Sequence, residues 1–293
     1  MTAWLRRLAP SAAKDAARRL LLRWQINPGR MDLTGRGTVH DLYFWMADGR
    51  VETNVLLNNF YSVFFPMLDT ATTGSLTVLD ADGRRLGRVE SRVGHLGCVT
   101  FKVSQLLREW FPNGRAAPTE GTLLFDVALP EPVISALAHV QGAFYFWHRF
   151  YIEYVTREPV GQPAFVHCVD RTVIRRHGAH REKRWYTAAQ PRDWSPEPPI
   201  NINDYRRLSV ILMNRAPRAA AVTLTVTDSH DQTRAFTQTI PTHGVRRFLL
   251  TPERLQGLVP LGLRLRVVGM PTTWARPVLF KEFRNGTIST MHC

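Results

Sequence analysis

Apolar and polar residues alternate with a period of two along most of this chain. The clearest runs are residues 222–227, where apolar side chains alternate with threonines, and residues 263–267, where they alternate with arginines. This period predicts antiparallel strands with one face in the core and the other in water. Asp82-Gly83 and Asn285-Gly286 each separate two runs of this kind and predict hairpin turns.

Helical patterns are short and few after residue 30. They are confined to residues 104–109, 132–139 and 252–255. A chain with many short alternating runs and little helical periodicity is predicted to be all-β.

One part of the sequence pattern occurs twice along the chain. Three pairs of landmarks are each 148 positions apart: Asp80 and Asp228, His95 and His243, and Leu107 and Leu255. The apolar run 60–65 precedes the first set as the run 208–213 precedes the second. A single offset over several landmarks predicts an internal duplication. We therefore expect two tandem antiparallel β-sandwich domains, preceded by a basic N-terminal helix.

The predicted division of the chain follows from this repeat. Residues 1–30 hold the basic helix, residues 31–168 the first sandwich, residues 169–204 a basic, proline-rich inserted loop, and residues 205–293 the second sandwich. A chain of 293 residues is long enough to bury two separate cores. The two parts that are not copied, the helix and the loop, are the expected places for function.

The first 24 residues combine good helix formers with a basic surface. The residues expected to dock this helix are Trp4, Arg6, Arg7, Arg18 and Arg19. One interpretation is a helix bound to the first domain or to a protein partner. The alternative is a helix lying on an anionic membrane, although its basic and apolar residues are poorly segregated on a helical wheel.

The inserted loop is rich in arginine and is followed by several prolines. Its candidate anion-binding or partner-binding residues are Arg171, Arg175, Arg176, Arg181, Arg184 and Trp185. Arginine binds phosphates and carboxylates in a bidentate manner, and tryptophan can stack on rings, so an acidic glycan is one candidate ligand. The alternative is a solvated linker that pairs with acidic patches of its own domains.

Three similar five-residue segments, 37–41, 164–168 and 289–293, each have a histidine at the fourth position. These histidines are His40, His167 and His292. If their strands converge, neutral imidazoles there could bind zinc or iron. The alternative is that each histidine is structural and that the segment recurs only because the strand recurs. No cofactor is otherwise expected.

The stretch 142–155 is the most aromatic part of the chain, and both of its alternating faces are apolar. It predicts a single strand that is covered on both sides. An exposed aromatic platform that stacks on sugars is the alternative.

Charge and composition change this picture little. The net charge is +14 and the pI is near 10.6, which is typical of proteins with polyanionic partners. Nearly all of the excess is arginine, however, which a GC-rich genome also produces, and no known nucleic-acid module is recognisable. Three cysteines without a close pair favour a reducing compartment. We expect a cytoplasmic protein, with peripheral attachment to the inner membrane face as an alternative.

The sequence contains no phosphate-binding glycine loop, no H-E-x-x-H and no nucleophile elbow. The leading hypothesis is therefore a non-catalytic binding or scaffold protein whose partner is a protein or a larger assembly. A metal-dependent enzyme acting on a sugar or small acid, with the three histidines as ligands, is the first alternative. A nucleic-acid-binding protein is the second.

Overall fold

The computed structural model describes residues 38–112, 117–128, 130–138, 145–147, 151–157, 163–167, 171–173, 200–214, 218–269 and 277–292. Strands account for most of these residues, so the predicted all-β class is confirmed. The division into two duplicated sandwiches remains a prediction.

The strands are β1 (Thr38–Met46), β2 (Val51–Asn58), β3 (Thr72–Asp80), β4 (Arg85–Val93), β5 (Cys98–Lys102), β6 (Glu120–Ala128), β7 (Tyr145–Trp147), β8 (Tyr151–Thr156), β9 (Ala164–His167), β10 (Arg171–Val173), β11 (Tyr205–Met213), β12 (Ala220–Thr227), β13 (Thr233–Ile240), β14 (Val245–Leu250), β15 (Arg264–Val268), β16 (Val278–Phe283) and β17 (Ile288–His292). The α-helices among the described residues are α1 (Tyr61–Phe64), α2 (Val103–Trp110) and α3 (Glu131–Ala138). A 3-10 turn covers Ile202–Asp204.

The N-terminal half, residues 38–173, contains two four-stranded antiparallel sheets. Their strand orders are β1-β6-β3-β4 and β5-β2-β8-β9. Apolar residues from both sheets, such as Leu76 and Phe125 on one and Val55 and Ile152 on the other, belong to one buried cluster. Among the strands that the structure describes, the short strands β7 and β10 pair only with each other.

The C-terminal half, residues 200–292, has a four-stranded sheet in the order β14-β11-β16-β17 and a three-stranded sheet in the order β13-β12-β15. Val210 and Leu212 of β11 share a second buried cluster with Val222 and Leu224 of β12. The predicted alternation of β12 is confirmed, because its valines and leucine are buried while its threonines are partly exposed.

The sheet that contains β11 is buried on both faces. Val210 and Leu212 point into the second cluster, whereas Ile211 and Met213 belong to the first cluster, with Phe280 of β16. The ring of Phe280 meets the ring of Tyr154 edge to face, with the ring centroids 5.5 Å apart. This explains the uninterrupted apolar run of β11, since a strand covered on both sides has no polar face.

The two four-stranded sheets of β2 and β11 have the same strand order and corresponding registers. Leu56 of β2 pairs with Thr100 and Tyr151, and Ile211 of β11 pairs with Arg247 and Val278 in the same way. The pairing thus makes Ile211 the counterpart of Leu56.

This pairing corrects the sequence alignment of residues 60–65 with residues 208–213. The strand segment 208–213 corresponds to residues 53–58, and residues 60–65 form α1 and a turn after that strand. The prediction was wrong because apolar content alone does not distinguish a short helix from a strand. The aromatic stretch 142–155 also differs from its prediction, since it contains two strands, β7 and β8, with different partners.

The hairpins predicted at Asp82-Gly83 and Asn285-Gly286 are confirmed. The turn of β3 and β4 is closed by the Asp80 carboxylate, which accepts the backbone N–H of Asp82 (2.9 Å) and of Arg84 (2.8 Å). Gly83 has φ +80°, a left-handed conformation that glycine adopts without strain.

The turn of β12 and β13 is built in the same way. The Asp228 carboxylate accepts the N–H of His230 (2.8 Å) and of Gln232 (2.9 Å), and Asp231 has φ +60° at the position of Gly83. These two aspartates are one of the landmark pairs found in the sequence.

A buried asparagine directly follows β2 in the N-terminal half and β11 in the C-terminal half. Asn59 donates its side-chain N–H groups to the carbonyls of Thr70 (2.7 Å) and Gly94 (2.9 Å). Asn214 donates to the carbonyls of Arg218 (2.8 Å) and Ile240 (3.0 Å). Each thus ties the start of the next strand to a later turn, and these roles were not predicted from the sequence.

The pair His95 and His243 does not occupy equivalent positions in these later turns. A register shift between Val78 and Leu79 adds one residue to the first hairpin. The left-handed residue of the turn is therefore Leu96 (φ +55°) in the N-terminal half and His243 (φ +57°) in the C-terminal half.

Candidate functional site

The three candidate metal-binding histidines lie in strands, and their side chains are outside the described residues. His40 is in β1, opposite Asp126. His167 ends β9 and His292 ends β17, two strands that lie next to each other, whereas β1 belongs to a different sheet. Among the side chains that the structure describes, no three ligand-type residues form a metal-binding group. The metal hypothesis stays a prediction.

The other candidate residues fall largely outside the described ranges. Trp4, Arg6, Arg7, Arg18 and Arg19 of the N-terminal segment, and Arg175, Arg176, Arg181, Arg184 and Trp185 of the basic loop, all lie there. Arg171 begins β10 and pairs through its backbone with Trp147. Within the described part of the chain, no helix is both long enough and apolar enough to cross a bilayer.

One polar contact between the two halves is centred on the buried carboxylate of Glu282. Arg207 donates to it from 2.8 Å, Arg50 of the N-terminal half donates a short hydrogen bond, and Arg206 lies 3.7 Å away. Glu282 is only 4% exposed, and an unpaired carboxylate in such a position would be costly. The arginines therefore compensate for its burial and fix Arg50 to the C-terminal half.

A second contact joins the β3-β4 turn to the turn that precedes β14. The carbonyl of Ala81 accepts the N–H of Val245 (3.0 Å) and the guanidinium of Arg246 (2.8 Å), which also pairs with Asp82 at 2.7 Å. Thr122 donates its hydroxyl to the carbonyl of His243 (2.5 Å). These bonds involve backbone groups from both halves, so the contact has a defined geometry.

The opposite end of the N-terminal half carries an exposed apolar surface, which we call the upper end. It is formed by Val63 and Met67, in and after α1, and by Leu96 in the β4-β5 turn, which are 64%, 92% and 73% exposed. The backbone N–H of Leu96 donates to Ser62 Oγ (2.8 Å), so the α1 segment and the turn are held together.

A chain of polar side chains supports the upper end from below. Ser62 Oγ lies 2.7 Å from Thr70 Oγ1, which lies 2.9 Å from Nδ1 of His95. Ser62 and Thr70 are buried. The serine is thus enclosed and bonded, and the arrangement positions the turn of Leu96 rather than presenting a nucleophile to solvent.

Leu96 combines two unfavourable properties. It is a leucine in the left-handed region of backbone conformations, which branched side chains rarely adopt, and its side chain is mostly in water. Strained residues of this kind occur preferentially at functional positions. Little in the sequence indicates this, since the feature visible there is a Gly-His-Leu-Gly turn.

The pKa values of Asp228 and of Cys98 are displaced from their usual values. The backbone N–H of Val259, and those of Gln232 and His230, hold the pKa of Asp228 below its usual value. Burial raises the pKa of the Cys98 thiol, which opposes thiolate formation and hence reactivity.

Comparisons with known proteins identify no family. No protein-family model matches the chain, and no curated protein matches it either. Among solved structures, a β-glucuronidase of Bacteroides uniformis shares 12% identity at a TM-score of 0.20, covering 91% of this chain and 27% of that one. A putative β-galactosidase of Bacteroides fragilis shares 9% identity at a TM-score of 0.20, covering 87% of this chain and 32% of that one.

A tetra-tandem repeat from the extending region of a large adhesion protein shares 13% identity at a TM-score of 0.15, covering 87% of this chain and 48% of that one. The chain thus spans about a quarter to a third of the glycosidases and about half of the adhesion fragment. At such low TM-scores these similarities support no conclusion about fold or function.

Proposed function

We propose that this chain is a non-catalytic binding or scaffold protein built from two duplicated β-sandwich domains. The matched order and registers of the β2 and β11 sheets support the duplication, as do the equivalent turns of Asp80 and Asp228 and the equivalent asparagines Asn59 and Asn214. These features involve pairing and side-chain bonding, which are more specific than the sequence offset.

The observation that carries the scaffold role is the covered outer face of the β11 sheet. Ile211, Met213 and Phe280 are buried against the N-terminal half, and the Glu282 and Asp82 ion pairs lie at the margins of this contact. A large apolar contact with polar bonds of fixed geometry holds two domains in one orientation. Such an arrangement suits a spacer that presents binding segments at a constant distance.

The binding segments in this proposal are the N-terminal helix, residues 1–30, and the basic loop, residues 169–204. Their arginines and tryptophans give them affinity for an acidic protein assembly, an anionic membrane surface or an acidic glycan. The net charge of +14 supports an anionic partner of this kind.

Charge reversal tests the proposal. We expect the wild-type protein to bind phosphatidylglycerol vesicles, polygalacturonate or an acidic assembly captured by crosslinking, with affinity that falls as salt rises. Two variants change arginines to glutamate, one at Arg6, Arg7, Arg18 and Arg19 and the other at Arg171, Arg175, Arg176, Arg181 and Arg184. Each should abolish that binding.

The control variant reverses Arg84, Arg85 and Arg92, which are exposed in and before β4. This variant should retain binding. If both reversed sets behave like this control, or if the wild type binds none of the three probes, the proposed function is wrong. Tighter binding to duplex DNA than to any of these probes would favour the nucleic-acid hypothesis instead.

A metal-dependent enzyme is the second candidate, and one observation favours it. His167 and His292 end the neighbouring strands β9 and β17. Metal analysis of the purified protein separates the two candidates. Stoichiometric zinc or iron that is lost in His167→Ala would support the enzyme, and a metal-free protein that still binds its anionic partner would support the scaffold.

A further inference from the structure

The contact between the two halves uses a turn at one end of the first half and a turn at one end of the second. The β3-β4 turn, Asp80 to Arg84, approaches the turn before β14, Pro241 to Gly244, so closely that a side chain on Gly83 would collide with the carbonyl of Thr242. We call the β3-β4 turn the hairpin end of the N-terminal half. The turn before β14 corresponds to the turn of Leu96, so we call it the upper end of the C-terminal half.

Each half has both kinds of end, so one of each remains outside this internal contact. The hairpin end of the C-terminal half is the β12-β13 turn, Asp228 to Gln232, which has the same hydrogen bonds as the β3-β4 turn. The remaining upper end is that of the N-terminal half. These two surfaces lie on different halves of the chain, and they are counterparts of two surfaces that already bind each other.

Both remaining surfaces carry exposed apolar side chains. The upper end has Val63, Met67 and Leu96, and Leu261 beside the Asp228 turn is 63% exposed. Gly262, the next residue, lies close to Ser229 of that turn, since a Cβ on Gly262 would be 3.7 Å from the Cβ of Ser229. Leu261 is therefore part of the second hairpin end.

The upper end of the N-terminal half is enlarged where a neighbour would dock. Thirteen positions separate Asn59 from Thr72, against six between their counterparts Asn214 and Ala220, and the additional residues include Val63 and Met67. A longer loop that exposes apolar side chains beside a strained leucine costs solubility and stability, and a bound partner would offset that cost.

We infer that this upper end binds a second copy of the same chain, whose Asp228 to Gln232 turn and Leu261 dock on Val63, Met67 and Leu96. The contact repeats between copies the arrangement of turns that each copy contains internally. It is a head-to-tail contact between two different surfaces, so it can add further copies. The inference rests on the proposed duplication.

The chemistry of the contact differs from that of the internal one. The internal contact contains the ion pair Asp82–Arg246. At the corresponding positions of the contact between copies lie His230 and Val99, which cannot form a salt bridge. Apolar burial therefore dominates the contact between copies. Arg264 takes the position of Thr122 and pairs with Asp231 at 2.5 Å, with its guanidinium close to the turn. That guanidinium can donate to the carbonyl of Leu96 as Thr122 donates to that of His243. The association should therefore be weaker than the internal contact, reversible and resistant to salt.

Sedimentation velocity of the full chain over a range of concentrations tests this inference. The average mass of the wild type should rise with concentration, at high as well as low salt. Leu96→Asp and Leu261→Asp should each weaken self-association by at least about tenfold, as expected for a central apolar contact. Val268→Asp, which charges an exposed position on β15, is the control and should associate like the wild type.

Mixing the two variants is the decisive measurement. Leu261→Asp retains an intact upper end and Leu96→Asp retains an intact hairpin end, so the mixture should form a complex of two chains that does not grow further. Recovery of a complex also shows that both variants are folded, and equal thermal unfolding temperatures check this independently.

The inference is overturned if the wild type remains monomeric at its highest soluble concentration, if either variant associates like the wild type, or if the mixture stays monomeric. A monomeric wild type that still binds anionic probes through its basic segments would leave the proposed function standing. Self-association of a wild type that binds none of the anionic probes would support this inference and contradict the proposed binding function. The failure of one proposal is therefore distinguishable from the failure of the other.

Discussion

The outer faces of the β2 and β11 sheets differ in composition although their strands pair in the same way. Ile211, Met213 and Phe280 cover the β11 sheet, whereas the register assigns Leu56, Asn58 and Glu153 to the same positions of the β2 sheet. Glu153 accepts a hydrogen bond from Asn54 (2.6 Å) on that face. Different side chains at a few corresponding positions thus distinguish a face that binds the other half from one that tolerates water.

If the proposed duplication holds, this comparison indicates how its two halves acquire a defined arrangement. The backbone pairing determines where side chains point, and the side chains at a few outward positions determine whether a face becomes an interface. Glu282, the counterpart of Val155, adds a polar contact at the margin of the apolar face. Variants at these counterpart positions can break or sharpen the comparison.

The largest effect is expected from Phe280→Ala. It removes a buried ring that contacts Tyr154 across the two halves and should lower the free energy of unfolding by about 3 to 5 kcal/mol. Urea unfolding followed by tryptophan fluorescence measures this. Phe165→Ala on the half-exposed face of β9 is the control and should cost about 0.5 kcal/mol or less. A small effect at Phe280 would mean that this contact does not hold the halves together.

Much of the fold was predictable from the sequence because its evidence is local. The alternation in β12 and β15, the hairpin residues Asp82-Gly83 and Asn285-Gly286, and the short helix near Ser104 all depend on neighbouring residues, and the structure contains each of them. The landmark pair Asp80 and Asp228 was also found, because both aspartates close their own turns.

What could not be predicted depends on distant residues. The one-residue shift at Leu79, which makes Leu96 rather than His95 the counterpart of His243, arises from strand pairing and leaves no mark in composition. The partners of Asn59 and Asn214 are backbone carbonyls, which are the same for every residue type. The upper end was missed because exposure of Met67 and Leu96 is a property of the folded surface.

Asn214→Ala should have the next largest effect. Its buried side chain donates hydrogen bonds to the carbonyls of Arg218 and Ile240. Loss of these two bonds should lower the free energy of unfolding by about 2 to 3 kcal/mol. Asn59→Ala should cost a similar amount, since Asn59 bonds two carbonyls in the same way. Asn201→Ala, which removes a half-buried cap, should cost about 1 kcal/mol or less. Chemical denaturation that gave very different values for Asn59 and Asn214 would contradict their equivalence.

Glu282→Gln tests the polar margin of the interface. It retains the shape of the side chain but removes the charge shared by Arg50 and Arg207, and a loss of about 1 to 2 kcal/mol is expected because these arginines are partly exposed. The control is Glu90→Gln, whose pair with Arg88 is on the surface and should contribute about 0.5 kcal/mol or less. Equal effects of the two substitutions in thermal unfolding would show that burial adds nothing to the Glu282 contact.

Asp228 should make the stability of the β12-β13 turn sensitive to acid. Because its pKa is lowered in the folded protein, its stabilising effect is complete above the usual aspartate pKa of about 3.9 and is lost as the pH falls through and below that value. The wild type should therefore unfold at a higher temperature than Asp228→Asn at pH 7, and the difference should shrink towards pH 3. A difference that stays constant over this range would exclude the carboxylate charge as its cause.

Leu96→Gly should produce the smallest change, and in the opposite direction. Glycine adopts the left-handed conformation of this turn without the penalty of a branched side chain, so the variant should gain somewhat less than about 1 kcal/mol of stability after the entropic cost of glycine. His243→Gly removes the same strain from the other turn, where the residue lies in the contact between halves. If the Leu96 strain is retained for binding, Leu96→Gly will raise the unfolding temperature while weakening self-association. A variant that gains stability and associates like the wild type would mean that the exposed leucine has no part in the contact.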